Sequence, residues 1–444
     1  MTHSALQITP ETVHSTLRKH MLVDGFDLVL DLEKSEGSYL ADKRTGRRFV
    51  DFFTFFASTP IGFNHPRIAR DHDFLARLTR ASLMKPSNSD IYTEEMAAFV
   101  ATYSRVGIPG HLPYLFLIDG GTLAVENALK VAFDWKVRLN FEKGYQSEKG
   151  HQIIHFRQAF HGRSGYCISL TNTVPDKTAY FPKFDWPRIV NPGLHFPLTD
   201  ESVAATQQLE EQAILEIKQA IAANKDDIAA IIIEPIQAEG GDVHFRKSFL
   251  QSLRQIADES DVLLIFDEVQ TGFGLTGKFW AHEHFVEPDI LAFGKKSQIC
   301  GVLAGKRIDT VPANVFHTPS RINSTWGGNL TDMVRSTRYL EIIEEEDLVG
   351  HANSAGAYLL HHIQSLALEF EGMVTNPRGL GLMCAFDLPS ADLRKQFISR
   401  CYDNGLMILV CGPRSIRFRP ALNIPLTVID EGIAIIRQVL STLR

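Results

Sequence analysis

An apolar run, Val262-Leu263-Leu264-Ile265-Phe266, passes directly into two acids, Asp267-Glu268, and a lysine, Lys296, follows 29 positions after Asp267. A buried strand of an α/β sheet that ends in an acid delivers that acid to the crevice outside the carboxyl edge of the sheet, where ligands bind. A lysine on a nearby loop completes a pair with a definite use. Its amine forms a Schiff base with an aldehyde, while the carboxylate keeps a pyridine nitrogen protonated. Pyridoxal phosphate needs both. Taken singly, each has a plainer reading: a strand-end carboxylate caps a helix or pairs with an arginine, and most lysines are solvated.

Three further segments bear on ligand chemistry. Gly120-Gly121-Thr122 lies between a strand ending at Ile118 and a helix expected from about Ala124. Glycines let the backbone approach an anion and a helix N-terminus offers free N–H groups, although an ordinary strand-to-helix turn has the same composition. Asp119 beside a phosphate is electrostatically awkward, so its side chain is expected to point away. Phe160-His161-Gly162-Arg163 offers an aromatic that can stack on a planar ring and a guanidinium that suits a carboxylate; an aromatic after a strand is more often core. Gly272 to Lys278 has the spacing of a phosphate loop, but the next residue is Phe279, so the magnesium-binding hydroxyl is missing and a nucleotide-hydrolysing reading is disfavoured.

The elements that must position these residues alternate from about 90 to 310. Strands are expected at Tyr114–Ile118, Gln152–Phe156, Ala229–Ile233, Val262–Phe266 and Ile290–Phe293, and helices at Ala124–Val137, Glu201–Asn224 and Arg246–Asp258. That rhythm predicts a mostly parallel sheet covered on both faces. Before it lie a helical pattern at Val13, Leu17 and Met21 and a strand pair near Gly37–Leu40 and Arg48–Asp51. After it come helices at Met333–Glu345 and Ala352–Phe370. Strands follow at Met383–Leu388, Leu406–Leu409 and Ile416–Arg419, then a closing helix, Ile429–Leu443. The pattern divides the chain into an N-terminal segment, 1–75, packing with the small domain; a large domain, 76–330; and a small α+β domain, 331–444.

Composition narrows the class. The 444 residues are 44% hydrophobic and carry 45 basic against 52 acidic side chains, a net charge of −7 with the basic residues scattered. Nucleic acid and acidic membrane surfaces are poor partners for such a chain. Five cysteines without a CxxC pair read as reduced thiols. Met1-Thr2-His3-Ser4-Ala5 has neither a basic nor an apolar leader region, no apolar run reaches about 18 residues, and no metal site is indicated. A cytoplasmic enzyme is expected.

Over nearly its whole length the sequence resembles the class III (ω-amino-acid) pyridoxal-phosphate aminotransferases. The resemblance rests on Gly121-Thr122-Leu123-Ala124-Val125-Glu126-Asn127-Ala128-Leu129-Lys130, Phe160-His161-Gly162-Arg163, Ile233-Glu234-Pro235-Ile236-Gln237 and, most specifically, Asp267-Glu268-Val269-Gln270-Thr271-Gly272-Phe273-Gly274. Asn323-Ser324-Thr325-Trp326-Gly327-Gly328-Asn329 resembles the lysine-specific branch. The usual Ser-Gly-x-Glu opening of the phosphate turn is replaced by Gly120-Gly121-Thr122-Leu123, and the usual glycine after the lysine by Ser297; both favour that branch over ornithine or 4-aminobutyrate enzymes.

The resemblance implies the type I fold of pyridoxal-phosphate-dependent transferases. It assigns Lys296, not Lys295, as the Schiff-base lysine by its spacing, and Asp267 as partner of the ring nitrogen. Gln270 would bond the ring hydroxyl and Phe160 would stack on the ring. Gly121 and Thr122 would hold the phosphate with Thr325 of a second subunit, making the active unit a homodimer with shared sites. Substrate binding would fall to Arg163, Glu239, Arg417 and Asn323. Glu239 pairs with Arg417 while an ω-amine donor is bound and swings aside, helped by Gly240 and Gly241, so that Arg417 takes a carboxylate of 2-oxoglutarate. Arg419 is the rival for that role. The reaction implied is transfer of the ε-amino group of L-lysine to 2-oxoglutarate, with ornithine or 4-aminobutyrate as other donors and a non-catalytic binding protein as the reading from a different class.

Overall fold

The structure is a computed structural model and describes residues 8–443; the Met1–Ala5 stretch lies outside them. Its central sheet has seven strands, in the spatial order Tyr114–Ile118, Cys300–Ala304, Ile290–Phe293, Leu263–Asp267, Ile228–Ile233, Gln152–Phe156 and Arg188–Ile189. All are mutually parallel except Cys300–Ala304, which runs against both neighbours. That strand was not anticipated from sequence, because Gly301 interrupts a short apolar run. The glycine is needed there: a Cβ would stand 2.2 Å from the Phe116 carbonyl oxygen.

Period-two alternation sends successive side chains to opposite faces of the sheet. Leu263 and Ile265 join Ala124, Ala128 and Ala132 of the long helix Gly121–Glu142. Leu264 and Phe266 instead meet Phe249, Leu250, Leu253 and Ile256 of Lys247–Glu259, whose buried positions follow the helical repeat.

A four-stranded sheet, Thr375–Leu380, Met383–Asp387, Ser415–Phe418 and Leu409–Cys411, packs with helices Leu348–Glu369 and Leu426–Ser441. Val50, Phe52 and Ile61 belong to the same core. The single strand expected over Leu406–Leu409 divides at Ile408. Leu406–Met407 pairs with Arg48–Asp51, and Leu409–Cys411 with Ser415–Phe418. Helix Leu330–Glu345 serves two cores: Met333, Val334 and Leu340 pack with Phe99 and Tyr103, Ile342 and Ile343 with the C-terminal cluster. The N-terminal helical pattern is realised only as Val13–Leu17, which buries nothing. The five cysteines are all buried free thiols. Among the described residues no helix is long and apolar enough to cross a membrane.

Candidate active site

Because the strands around them are parallel, five loops converge on one edge of the sheet. They follow Ile118, Phe156, Ile233, Asp267 and Phe293, and with residues 55–58 and Arg417 they enclose a cavity of about 760 Å³. Gly121, Thr122, Phe160, Arg163, Glu239, Asp267, Gln270 and Arg417 all line it.

Asp267 ends its strand buried. Oδ1 accepts from the Val269 N–H at 3.1 Å, and Oδ2 lies 2.8 Å from His161 Nδ1. The imidazole is itself buried, with Nε2 lacking a partner. A histidine on one oxygen and a backbone N–H on the other fix the carboxylate's plane, leaving its charge for a cationic ring nitrogen. Glu234 ends the neighbouring strand and accepts from the N–H groups of Phe160 and Ala238, both at 3.0 Å. Burial pushes its carboxyl up to about 7; His161 opposes the shift and Asp267 adds to it. Neither His161 nor Glu234 was assigned a role from sequence. The signal for Glu234 was present in the same form as for Asp267, an apolar strand running into an acid.

The phosphate turn has the geometry its composition allows. Helix Gly121–Glu142 begins without a side-chain cap, so its first N–H groups are free at the cavity. Thr122 Oγ1 lies 3.0 Å from Ser164 Oγ, which donates to Glu126 at 3.0 Å. Gly162, at φ +111, is required beside it: a Cβ there would stand 2.0 Å from Thr122 Oγ1. Asp119 turns away and pairs with Lys85 at 3.2 Å.

The two adjacent lysines are placed differently from the expectation. Lys296, expected to be the reactive amine, does not line the cavity; it is buried and its Nζ donates to the Gln270 carbonyl at 2.7 Å. Burial, with Lys295 next to it, holds that amine well below its ordinary range. Lys295 lines the cavity instead, half-buried, with φ +56. A non-glycine residue in the left-handed region costs about 1–3 kcal/mol and such strain gathers at functional sites. Burial, then Arg417 and Arg419, lower the Lys295 amine to about 8, against the pull of Asp267 and Glu234. Lys295 stands 28 positions after Asp267 and Lys296 29.

The arginines separate cleanly. Arg419 is locked to buried Asp242, Nη1 to Oδ2 at 2.9 Å and Nη2 to Oδ1 at 2.5 Å, and donates from Nε to Gln270 Oε1 at 3.1 Å. Arg417 is 2% exposed and stands over the Phe56 ring, 6.0 Å from its centroid; among the described residues its one ion-pair partner is Glu239, at 3.3 Å, and its Nε and Nη1 have no hydrogen-bond partner. A buried guanidinium held by one ion pair is poised to receive a carboxylate. The backbone beside Glu239 is not free, contrary to the role expected of its glycines. Gly412 N–H donates to the Glu239 carbonyl at 2.8 Å, Arg378 donates to the carbonyls of Gly241 and Asp242, and a Cβ on Gly240 would meet the Gln158 carbonyl oxygen at 2.2 Å.

Three wall residues had no sequence signal. Phe55 and Phe56 lie in a left-handed turn, Thr54–Ala57, with φ of +38, +51, +60 and +65. The turn is held by Asp51, which accepts from the Phe53 and Thr54 N–H groups at 2.8 Å, and by Thr54 Oγ1 donating to the Arg419 carbonyl. Lys177, at the end of a short 3-10 turn, contacts Glu239. Asn323 and Thr325 are exposed and outside the cavity wall. The segment Gly272–Lys278 does not form a phosphate loop: no α-helix follows it, and Gly272 packs on the Trp280 ring, where a Cβ would come within 2.4 Å.

An uncapped helix terminus, an oriented strand-end carboxylate, an aromatic wall and a cavity amine of lowered basicity fit pyridoxal phosphate. The family model for aminotransferase class-III matches residues 23–440. The chain belongs to the class III aminotransferases, which use pyridoxal phosphate. It is 52% identical to an L-lysine-epsilon aminotransferase of Mycobacterium tuberculosis over 97% of its length and 96% of the relative's. The solved structure described as lysine aminotransferase from M. tuberculosis in the internal aldimine form superposes with a TM-score of 0.97 at 51% identity, covering 98% of this chain and 100% of that one. Human mitochondrial 4-aminobutyrate aminotransferase is more distant, 32% identical over 88% of this chain and 80% of its own.

Proposed function

We propose that this aminotransferase moves the ε-amino group of L-lysine to 2-oxoglutarate, giving L-glutamate and 2-aminoadipate 6-semialdehyde. The observation that carries the reading is Arg417, buried, incompletely hydrogen-bonded and ion-paired with Glu239. A pocket serving an ω-amine donor and a 2-oxo diacid must present an apolar path to one and a cation to the other. A carboxylate that covers and uncovers an arginine does both. The shared name of relatives about half identical along the whole chain supports the donor.

Pyridoxal phosphate supplies an aldehyde carbon for amines and a pyridinium ring that withdraws electrons. Lys295, in place of Lys296, would hold the cofactor and serve as the base that moves the proton; an amine lowered to about 8 works closer to neutral pH as a base. Asp267, held by His161, keeps the ring nitrogen charged. Phe160 would stack on the ring, and Gln270, whose Oε1 is engaged by Arg419, would have its amide N–H left for the ring hydroxyl. The N–H groups at Gly121 and Thr122 take the phosphate. Arg163 takes the distal carboxylate of either substrate.

The same reading makes the enzyme a cytoplasmic homodimer, with Thr325 and Asn323 serving the partner's cavity, and divides the chain into 1–75, 76–330 and 331–444. Support for the dimer comes from the exposed apolar group Leu83, Met84, Ile91, Tyr92 and Trp326. Beside it, Asn88 and Ser89 hold the carbonyls of Trp326 and Ser324 at 2.9 and 3.0 Å. The test is the visible spectrum of the purified protein. A yellow band bleached by L-lysine alone and restored by 2-oxoglutarate is expected. Bleaching by ornithine or 4-aminobutyrate but not lysine replaces the donor, and an unresponsive band rejects the reading.

A further inference from the structure

Lys177 has no task in the transfer scheme, although it stands on the cavity wall. It ends the short 3-10 turn Pro175–Lys177, and its Nζ lies 5.4 Å from the centroid of the Phe160 ring. That Nζ contacts Glu239 Oε1, while Glu239 Oε2 faces Arg417 Nη2 at 3.3 Å. One carboxylate therefore bridges two cations carried by unrelated segments. Lys177 and Glu239 are 28% and 24% exposed, at the rim, whereas Arg417 is 2% exposed, below it.

A charge count shows what the second cation changes. With Glu239 bridging, the rim carries Arg417, Lys177 and Glu239, a net +1. Admitting a carboxylate to Arg417 brings the sum to zero, with each anion next to its own cation. Were Lys177 absent, the closed rim would be neutral and the same step would leave −1 in a half-buried site, with Glu239 displaced and unpaired. The ω-amine donor brings methylenes to this rim and no charge, so it gains nothing from the lysine. A group whose contribution differs between two liganded states shifts the balance between them, and one that contributes equally does not.

We propose that Lys177 is a specificity-determining residue. It keeps hold of Glu239 when that carboxylate leaves Arg417, and it supplies the positive charge that allows the rim to accept the carboxylate of the 2-oxo acid. The inference rests on the transfer reading above for its choice of acceptor. It is a positioning role exercised through Glu239, so its signature is a split between the half-reactions and not a general loss.

The test uses holoenzyme. For Lys177→Gln, the second-order constant of the 2-oxoglutarate half-reaction should fall roughly ten-fold, between the small loss at an exposed ion pair and the large loss at a buried one. The lysine half-reaction should stay within about two-fold, the scale of a surface change. Binding of the unreactive diacid glutarate, followed by calorimetry, should weaken by the same factor. Lys177→Arg should retain all three. Glu239→Gln added to Lys177→Gln restores the rim to +1 and should recover glutarate affinity. Equal losses in both half-reactions, unchanged glutarate affinity, or no recovery in the double variant would each overturn the proposal. Glutarate binding needs no turnover, so an enzyme that ignores L-lysine would sink the donor reading while still reporting on Lys177.

Discussion

Two adjacent lysines with opposite surroundings allow a decisive substitution pair. Lys296→Met removes one hydrogen bond to the Gln270 carbonyl, made at 2.7 Å. Leaving that buried acceptor unpaired costs about 1–3 kcal/mol. The methionine also removes an amine whose burial is unfavourable enough to hold it well below its ordinary basicity, so the net change should be under about 2 kcal/mol. The variant should fold, stay yellow and keep most of its activity. Lys295→Met deletes the amine on the cavity wall. It should lose the covalently held cofactor, and a missing general base alone is worth roughly 10²–10⁴ in rate. The assay is borohydride reduction of the wild type and both variants, then peptide mapping. The cofactor should be fixed at residue 295 in the wild type and in Lys296→Met, and nowhere in Lys295→Met. Label at residue 296, or a yellow reducible band surviving in Lys295→Met, would refute the assignment.

Other substitutions test the supporting shell. Arg419→Met strands Asp242, whose two contacts to that guanidinium are 2.5 and 2.9 Å, and should destabilise by about 3–5 kcal/mol in denaturant melts. Gly162→Ala forces a Cβ to 2.0 Å from Thr122 Oγ1 at φ +111; cofactor affinity should fall, with about 1–3 kcal/mol of strain read by titrating apoenzyme. Burial lifts Asp51 from 3.8 to about 6. Because this folded value lies above the unfolded one, its contribution to stability is complete below about pH 3.8 and lost as pH rises through 6, up to about 3 kcal/mol. Asp51→Asn keeps the oxygen that accepts from Phe53 and Thr54, so melts across that window should show a flatter slope than wild type. An equal slope would reject Asp51 as its source.

Sequence was most informative where one periodicity dominated. Tyr114–Ile118, Gln152–Phe156 and Ile290–Phe293 were legible to the residue, because continuous apolar runs bounded by turn residues have few alternatives. Cys300–Ala304 was not, since a glycine that admits a neighbouring carbonyl looks like a strand breaker. In the site, residues anchored to strand ends were visible as types. Which of Lys295 and Lys296 faces the cavity was not legible, because a loop's length, unlike a strand's pattern, leaves no periodic trace. Lys177, Phe55 and Phe56 escaped for a different reason. They come from irregular backbone, and a left-handed turn built of Thr, Phe, Phe and Ala contradicts every local preference that makes turns predictable. Such conflicts between local preference and fold concentrate where function has overridden stability.

Arg417 and the Lys295 amine are electrostatically coupled. After burial, Arg417 is the largest influence lowering Lys295 toward 8, ahead of Arg419. A drop from 10.5 to about 8 raises the neutral fraction of the amine at pH 7 roughly three-hundred-fold, at ten-fold per unit. Only the neutral amine attacks an aldehyde. Removing Arg417's charge should therefore raise the Lys295 value toward that of an ordinary lysine and slow cofactor capture at neutral pH. Arg417 contacts neither Lys295 nor the phosphate turn by any hydrogen bond, so a change in capture would have to travel through the field. The measurement is the pH dependence of pyridoxal phosphate capture by apoenzyme, wild type against Arg417→Met. The midpoint should move to higher pH in the variant, with the limiting rate at alkaline pH preserved. A midpoint that stays put would mean that burial alone sets the basicity of Lys295. A lower limiting rate at every pH would mean that Arg417 supports the cavity mechanically and that the acceptor site and the amine are not coupled by charge.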